Sequence, residues 1–179
     1  MHKHIDYCNA HTSNIIDFYN NHMYDSNHIY EFIDYLIKYN RLEVIKHVFE
    51  NNNKLSDDHK LDFLYLSIML GYTNLVEYIC SRITNINSSD KYIPVLNLCI
   101  CIVMLSEYKR NKNLDNYLEI FKILLRYNAD TNKKDSQGND PVMIITRNIE
   151  ILTIYYERNV KKITIYRDML FMLLCINIS

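Results

Sequence analysis

The sequence has only two glycines, two prolines and no tryptophan among its 179 residues. Turns between β-strands favour glycine and proline, so this scarcity disfavours an all-β fold. A helical fold needs few of either residue, because Asn, which is abundant here, can also take the left-handed conformation that ends a helix. Gly71 and Gly138 are 67 positions apart, which excludes a glycine-rich phosphate-binding loop.

The chain also lacks an excess of either charge. It has 20 basic and 21 acidic residues, a formal net charge of -1. Nucleic-acid-binding domains usually carry a clear basic excess, so we expect no nucleic-acid partner. The length and the 49% hydrophobic and 23% charged content are typical of one globular domain, residues 1–179.

Long hydrophobic runs are missing too. The longest, residues 93–105 and 169–178, are too short or too interrupted to cross a bilayer. Residues 1–6 lack the apolar core of a signal peptide. We therefore expect a soluble intracellular protein that does not contact membranes.

Disulfide, metal and catalytic patterns are not recognisable either. The five cysteines are Cys8, Cys80, Cys99, Cys101 and Cys175. Their number is odd and their spacing unpaired, and four lie in apolar sequence, which predicts buried free thiols rather than a disulfide framework. Cys99 and Cys101 are two apart on a predicted helix and do not share a face, which argues against a redox or metal pair.

The histidines suggest no catalytic or metal site. His2, His4, Cys8 and His11 have metal-binding side chains, but their spacing fits no standard zinc pattern. The interior histidines follow no nucleophile–base pattern. His47 lies on a predicted helix. His59 lies in the first turn of another helix, after two aspartates whose negative charge interacts favourably with the helix dipole. We expect no enzyme activity, no metal and no cofactor.

Apolar residues recur at helical spacing in short segments of about ten residues, which predicts short helices in pairs. When residues 33–48 are placed on residues 64–79, an offset of 31, apolar positions mostly coincide. Asn40 then falls on Gly71, and both residue types favour the positive φ that closes a helix. A further step of 31 from Leu64 reaches Val95, which follows Pro94. Helices are also predicted over 14–19, 94–108, 114–127 and 149–156.

Two segments resemble the ankyrin repeat. Residues 64–79 resemble its helix–turn–helix core, and residues 127–142 resemble the hairpin that leads into the next repeat. Asn128 stands where the family usually has Gly, and residues 140–142 replace Thr-Pro-Leu, with Pro141 suited to a first helical turn. The family's usual small alanine pair is Ser67-Ile68 here. The uneven, Asn- and Ile-rich repeats are most similar to those of poxvirus ankyrin proteins.

The resemblance implies an all-α, ankyrin-type helix–turn–helix solenoid of about four degenerate repeats with terminal caps. The N-terminal cap is expected at 1–25, the repeats at 26–159 and the C-terminal cap at 160–179. Within 26–159, the repeats are expected at 26–55, 56–87, 88–132 and 133–159. The third is enlarged, because 47 positions separate Val95 from Val142, against a pitch of about 33.

The resemblance also implies a non-enzymatic protein–protein interaction module. It implies a viral protein that binds a host factor, in the host cytoplasm, and so modulates innate immunity or host range. The expected contact residues are Tyr65 and Met69 on an inner helix, and Asn87, Asp90, Lys91, Tyr92, Lys133, Lys134, Asp135 and Gln137 at hairpin tips. Sixteen tyrosines fit either an interface or half-buried helix faces.

A second all-helical architecture remains open. A Bcl-2-like viral bundle binds an amphipathic host helix in a groove and also suits a chain of this size. It predicts one long central helix and no 31-residue register.

Overall fold

A computed structural model describes residues 10–23, 28–52, 55–88, 93–108, 112–147 and 160–176. Every regular element in this part of the chain is helical, and it contains no strand. The all-α prediction is therefore confirmed for the residues described.

The helices follow the sequence pattern closely. They are α1 (Thr12–Phe18), continued by a π-helical turn (Tyr19–Met23), α2 (Ile29–Lys38), α3 (Leu42–Asn51), α4 (Asp57–Leu70), α5 (Thr73–Cys80), α6 (Val95–Tyr108), α7 (Leu114–Arg126), α8 (141–147) and α9 (Val160–Ile176). The predicted helices over 94–108 and 114–127 match α6 and α7, and α8 begins at Pro141 as expected. The predicted helix over 149–156 lies outside the described residues.

Left-handed residues close three of these helices. Asn40, Gly71 and Asn128 have φ values of 50°, 73° and 59°. In each case the left-handed residue donates its N–H to the carbonyl three residues back, and the next residue donates to the carbonyl five back, at 2.9 to 3.2 Å. This is the Schellman arrangement of a helix end. The predicted equivalence of Asn40 and Gly71 is confirmed.

Burial repeats with the same offset of 31 residues. Five pairs of positions related by this offset are 1% exposed or less: Ile33 and Leu64, Ile37 and Ile68, Val44 and Leu75, Ile45 and Val76, and Val48 and Ile79. Ser67 replaces an apolar residue at the position equivalent to Leu36, and its hydroxyl donates to the Phe63 carbonyl at 2.7 Å. The buried Ser67 hydroxyl therefore keeps a hydrogen-bond partner.

The helices pack as three consecutive pairs, α2–α3, α4–α5 and α6–α7. Helix α4 also contacts α2 and α6, while α5 contacts α3 and α7. Each pair therefore covers apolar surface of the pair next to it, and buried residues from Ile15 to Leu173 form one continuous cluster. This order differs from a bundle wrapped around one long central helix.

Tyrosine hydroxyls join each pair to the one before it. Three of them donate to backbone carbonyls of the preceding pair: Tyr72 to Lys38 at 3.3 Å, Tyr78 to Lys46 at 3.3 Å, and Tyr117 to Met69 at 3.1 Å. Two ion pairs, Arg82–Glu50 at 3.0 Å and Arg126–Glu77 at 3.2 Å, span the same boundaries. Part of the high tyrosine content therefore serves the packing between pairs.

The described cysteines differ in burial. Cys80 and Cys99 are buried, Cys101 is half-buried and Cys175 is exposed. Burial raises the pKa of Cys80 to about 12 and also raises the pKa of Cys99, so both thiols stay protonated at neutral pH. The expectation of a buried thiol is wrong for Cys175, because it lies on a stretch of α9 where Phe171 and Leu174 are also exposed.

Asp57 holds the start of α4 against the end of α5. Its carboxylate accepts from Lys60 Nζ at 2.9 Å and from the Thr84 N–H at 3.0 Å. These two donors, Lys60 first, lower the pKa of the Asp57 carboxyl.

We expect Asp57→Asn to lower the free energy of unfolding at pH 7 by about 0.5–1 kcal/mol, a modest amount because the side chain is 36% exposed and water screens its contacts. Because the pKa of Asp57 is lower in the folded than in the unfolded state, its ionised carboxylate stabilises the protein at pH values above the unfolded-state pKa. This stabilisation is lost as pH falls through the folded-state pKa. Urea unfolding from pH 7 down to pH 2 should therefore show the variant and the parent converging in acid. A difference that stays constant with pH would contradict this role, and Asp17→Asn, on exposed α1 surface, serves as the control.

Candidate protein-binding surfaces

The segment between α7 and α8, residues 127–140, ends in a tight turn over residues 135–139. The Asp135 N–H donates to the Asn139 carbonyl and the Gly138 N–H to the Asp135 carbonyl, both at 3.0 Å. Gly138 has a φ of 82°, which glycine adopts without strain. The Asp135 carboxylate accepts from the Gln137 and Asn139 N–H groups at 2.9 Å. These bonds, that of Asn139 first, lower the pKa of Asp135, so this predicted contact residue also closes the turn.

Asn87 and Lys133 fasten this segment to the loop after α5. Asn87 Nδ2 donates to the Asn128 carbonyl and its Oδ1 accepts from the Asp130 N–H, both at 2.8 Å. Lys133 Nζ donates to the Asn87 carbonyl at 2.6 Å. Both predicted contact residues therefore have a role within the chain, which their sequence positions did not reveal.

The remaining predicted tip residues divide into two groups. Lys134 and Gln137 are exposed. Asp90, Lys91 and Tyr92 lie outside the described residues. We call the exposed side chains of Lys134 and Gln137 the tip surface. Gln137 lies in the 135–139 turn, and Lys134 immediately precedes that turn.

Tyr65 and Met69, the two predicted residues on an inner helix, line a groove of about 260 Å³ on α2 and α4. Asp34 from α2 and Asp62, Phe63 and Leu66 from α4 complete its lining. The Tyr65 hydroxyl donates to the Ile93 carbonyl at 2.5 Å, which fixes the ring. Met69 is 51% exposed and Leu66 is half-buried, so the groove offers an accessible apolar surface. We call these six residues the α2–α4 groove.

Two carboxylates give the groove an acidic character. Asp34 accepts from Lys38 Nζ at 2.6 Å, and both side chains are well exposed. Asp62 is exposed and forms no ion pair within the part of the chain that the structure describes. Neither carboxylate is among the residues predicted from the sequence, although Asp62, Leu66 and Met69 follow the helical spacing that places them on one face.

The histidines have local structural contacts. His59 Nδ1 lies 2.6 Å from the Ser56 hydroxyl, which caps α4 by accepting the His59 N–H at 3.4 Å, and the His59 ring stacks on Tyr30. His47 is half-buried rather than fully solvated, with its ring edge-on to Tyr19 and Nε2 at 3.2 Å from Asn20 Oδ1. These contacts account for both rings by helix capping and packing.

The described residues form neither a metal cluster nor a membrane-spanning helix. No group of three or more His, Cys, Asp or Glu side chains there is placed to hold a metal ion. No helix there combines the length and the hydrophobicity that crossing a membrane requires. His2, His4 and Cys8, three of the four residues with metal-binding side chains near the start of the sequence, lie outside the described residues.

Comparison with known proteins identifies viral relatives. Two curated ankyrin repeat proteins of variola virus are each 28% identical to this chain over 162 residues. The alignment covers 81% of this chain, and the chain spans only 28% of the length of these relatives. No family model matches the sequence, and no solved structure matches it. The similarity supports the ankyrin-like relationship that residues 64–79 and 127–142 suggested.

Proposed function

We propose that this chain is a non-enzymatic protein–protein interaction module, built as an ankyrin-type solenoid of about four degenerate repeats between terminal caps. The observation that carries the proposal is the burial pattern shared by α2–α3 and α4–α5 at an offset of 31 residues, in helix pairs that each pack on the next. The similarity to ankyrin repeat proteins of variola virus supports it independently. The repeats are assigned to 26–159, with caps at 1–25 and 160–179.

A row of packed pairs suits binding because it presents a preformed surface. Tyrosine hydroxyl bonds join successive pairs, and Asn87 and Lys133 fasten the segment that carries the tip surface. A partner then loses little free energy to ordering this surface when it binds. Burial accounts for the Cys80 and Cys99 thiols, and helix capping and ring packing account for the His59 and His47 side chains, so none of these four is assembled as a nucleophile with its base.

The partner is proposed to be a host protein, because the relatives are viral proteins. Binding in the host cytoplasm would then interfere with innate defence or extend the host range. The proposed contact residues are those of the tip surface and the α2–α4 groove, together with Asp90, Lys91 and Tyr92.

We expect that changing the tip surface weakens capture of the partner without unfolding the chain. The tagged full chain and the double variant Lys134→Glu with Gln137→Ala should be compared by affinity purification from expressing cells, with quantitative mass spectrometry. We expect the two side chains together to contribute about 1.4 kcal/mol to binding, so the variant should retain about tenfold less partner. Lys133 is kept because its ammonium group holds the Asn87 carbonyl.

Lys112→Glu, an exposed change in the turn between α6 and α7, is the control for altered net charge. Circular dichroism should show the same helical content in all three proteins. Equal recovery of the partner by the tip variant would contradict the tip assignment. Failure of the unaltered chain to retain any specific protein would contradict the proposed function.

A further inference from the structure

We infer that the α2–α4 groove recognises a segment of the partner protein that carries a basic side chain, arginine best of all, beside an apolar one. The inference rests on the proposed function, that the chain binds a protein, and it assigns the chemistry of the partner. Three features of the groove carry it: its charge, its apolar lining and the arrangement of its carboxylates.

The exposed charges on this face are predominantly negative. Asp34 and Asp62 lie in the groove itself. Glu31 is three residues before Asp34 on α2, and Asp58 is four residues before Asp62 on α4, so each is on the same helix face as its partner. Lys38 is the one lysine or arginine that pairs with any of these four residues in the described structure. The face therefore attracts a cation.

The existing Asp34–Lys38 pair does not block such a cation. Both side chains are more than a third exposed, and ion pairs of this kind contribute only about 0.2–1 kcal/mol. A partner's guanidinium group can replace the lysine contact with Asp34 or bind the exposed Asp62 carboxylate. Arginine suits two carboxylates in one groove because its planar fork donates in several directions at once.

The apolar lining determines which kind of partner residue can bind beside the basic one. Leu66 and Met69 offer hydrocarbon surface next to the carboxylates, and Phe63, which is only 6% exposed, completes the apolar lining. The stem of an arginine or lysine can lie along this surface while its charged end meets the acids. The flexible thioether side chain of Met69 adapts to a neighbouring apolar residue of the partner. An acidic peptide or a nucleic acid would instead be repelled.

The test uses the full chain and a phage-displayed library of random short peptides. Enriched peptides should contain Arg or Lys next to Leu, Ile, Met or Phe. The affinity of one enriched peptide, measured by fluorescence polarisation, should fall at least tenfold for Asp62→Lys and about threefold for Asp62→Asn. It should also weaken as salt is raised, because the contact is partly exposed. Asp17→Lys, the same charge reversal on α1, should change the affinity less than twofold.

Asp62→Asn keeps the shape of the side chain, so the inference can be tested even if Asp62→Lys unfolds. Enriched peptides without basic residues, or basic peptides that bind Asp62→Asn and Asp62→Lys as tightly as the parent, would overturn the groove assignment. The proposed function would then still stand, because a protein-binding surface would exist elsewhere on the chain. Self-association of the chain that Asp62→Lys abolishes would assign the groove to a second copy and overturn the inference. Failure of the chain to retain any peptide or protein would reject both.

Discussion

Replacing Phe121 with alanine is expected to lower the free energy of unfolding by about 3–5 kcal/mol. The Phe121 side chain is fully buried on α7, the helix that contacts both α6 of its own pair and α5 of the preceding pair. Its loss removes apolar burial and leaves a cavity where two pairs meet. Small domains have only about 5–15 kcal/mol of stability in total, so the change removes a large share of it.

The measurement is urea unfolding followed by circular dichroism, with Phe171→Ala as the matched control. Phe171 is 69% exposed on α9, so the same substitution there should change the unfolding free energy by about 0.5 kcal/mol or less. Equal effects of the two substitutions would mean that α7 does not occupy the core position described.

Gly71→Ala is expected to destabilise the chain by about 2–3 kcal/mol through two separate costs. The residue has a φ of 73°, a conformation that an alanine adopts only with strain. A Cβ atom at this position would also lie 3.2 Å from the ring of Tyr117. That ring has little freedom to move, because its hydroxyl donates to the Met69 carbonyl and the side chain is buried.

Gly138→Ala separates the two costs. Gly138 has a similar φ of 82°, but nothing lies within 4 Å of a Cβ added there. Its substitution should therefore cost only the conformational part, about 1 kcal/mol. The difference between the thermal unfolding midpoints of the two variants measures the contact between Gly71 and Tyr117. If Gly138→Ala destabilises as much as Gly71→Ala, the close approach of Tyr117 is not what restricts position 71.

The parts of the fold that local chemistry determines could be predicted from the sequence. Helical spacing identified α6 and α7 to within about one residue at each end, and residue type identified the left-handed ends at Asn40 and Gly71. Both signals depend on neighbours a few residues apart, so a single sequence contains them. The offset of 31 residues followed from the same local patterns and agrees with the burial of Ile33 and Leu64.

The parts that depend on distant contacts could not be predicted. Lys133 reaches the carbonyl of Asn87, 46 residues earlier, and no local pattern distinguishes such a lysine from one that is free to bind a partner. The packing of α2 on α4 brings Asp34 and Asp62 into the lining of one groove. In the sequence, each is typical of a solvent-exposed helix residue. The resemblance to ankyrin repeats predicts contacts at Tyr65 and Met69 but carries no information about the acidic residues beside them.

Each helix pair packs mainly on its immediate neighbours, and this arrangement also influences the order in which the helices unfold. Helices α4 and α5 contact a helix pair on each side, α2–α3 and α6–α7. Opening this middle pair would uncover two apolar faces at once, so we expect it to open late in unfolding. Since most of these contacts join segments close in the chain, refolding can start from one pair and spread outwards without first closing a long loop.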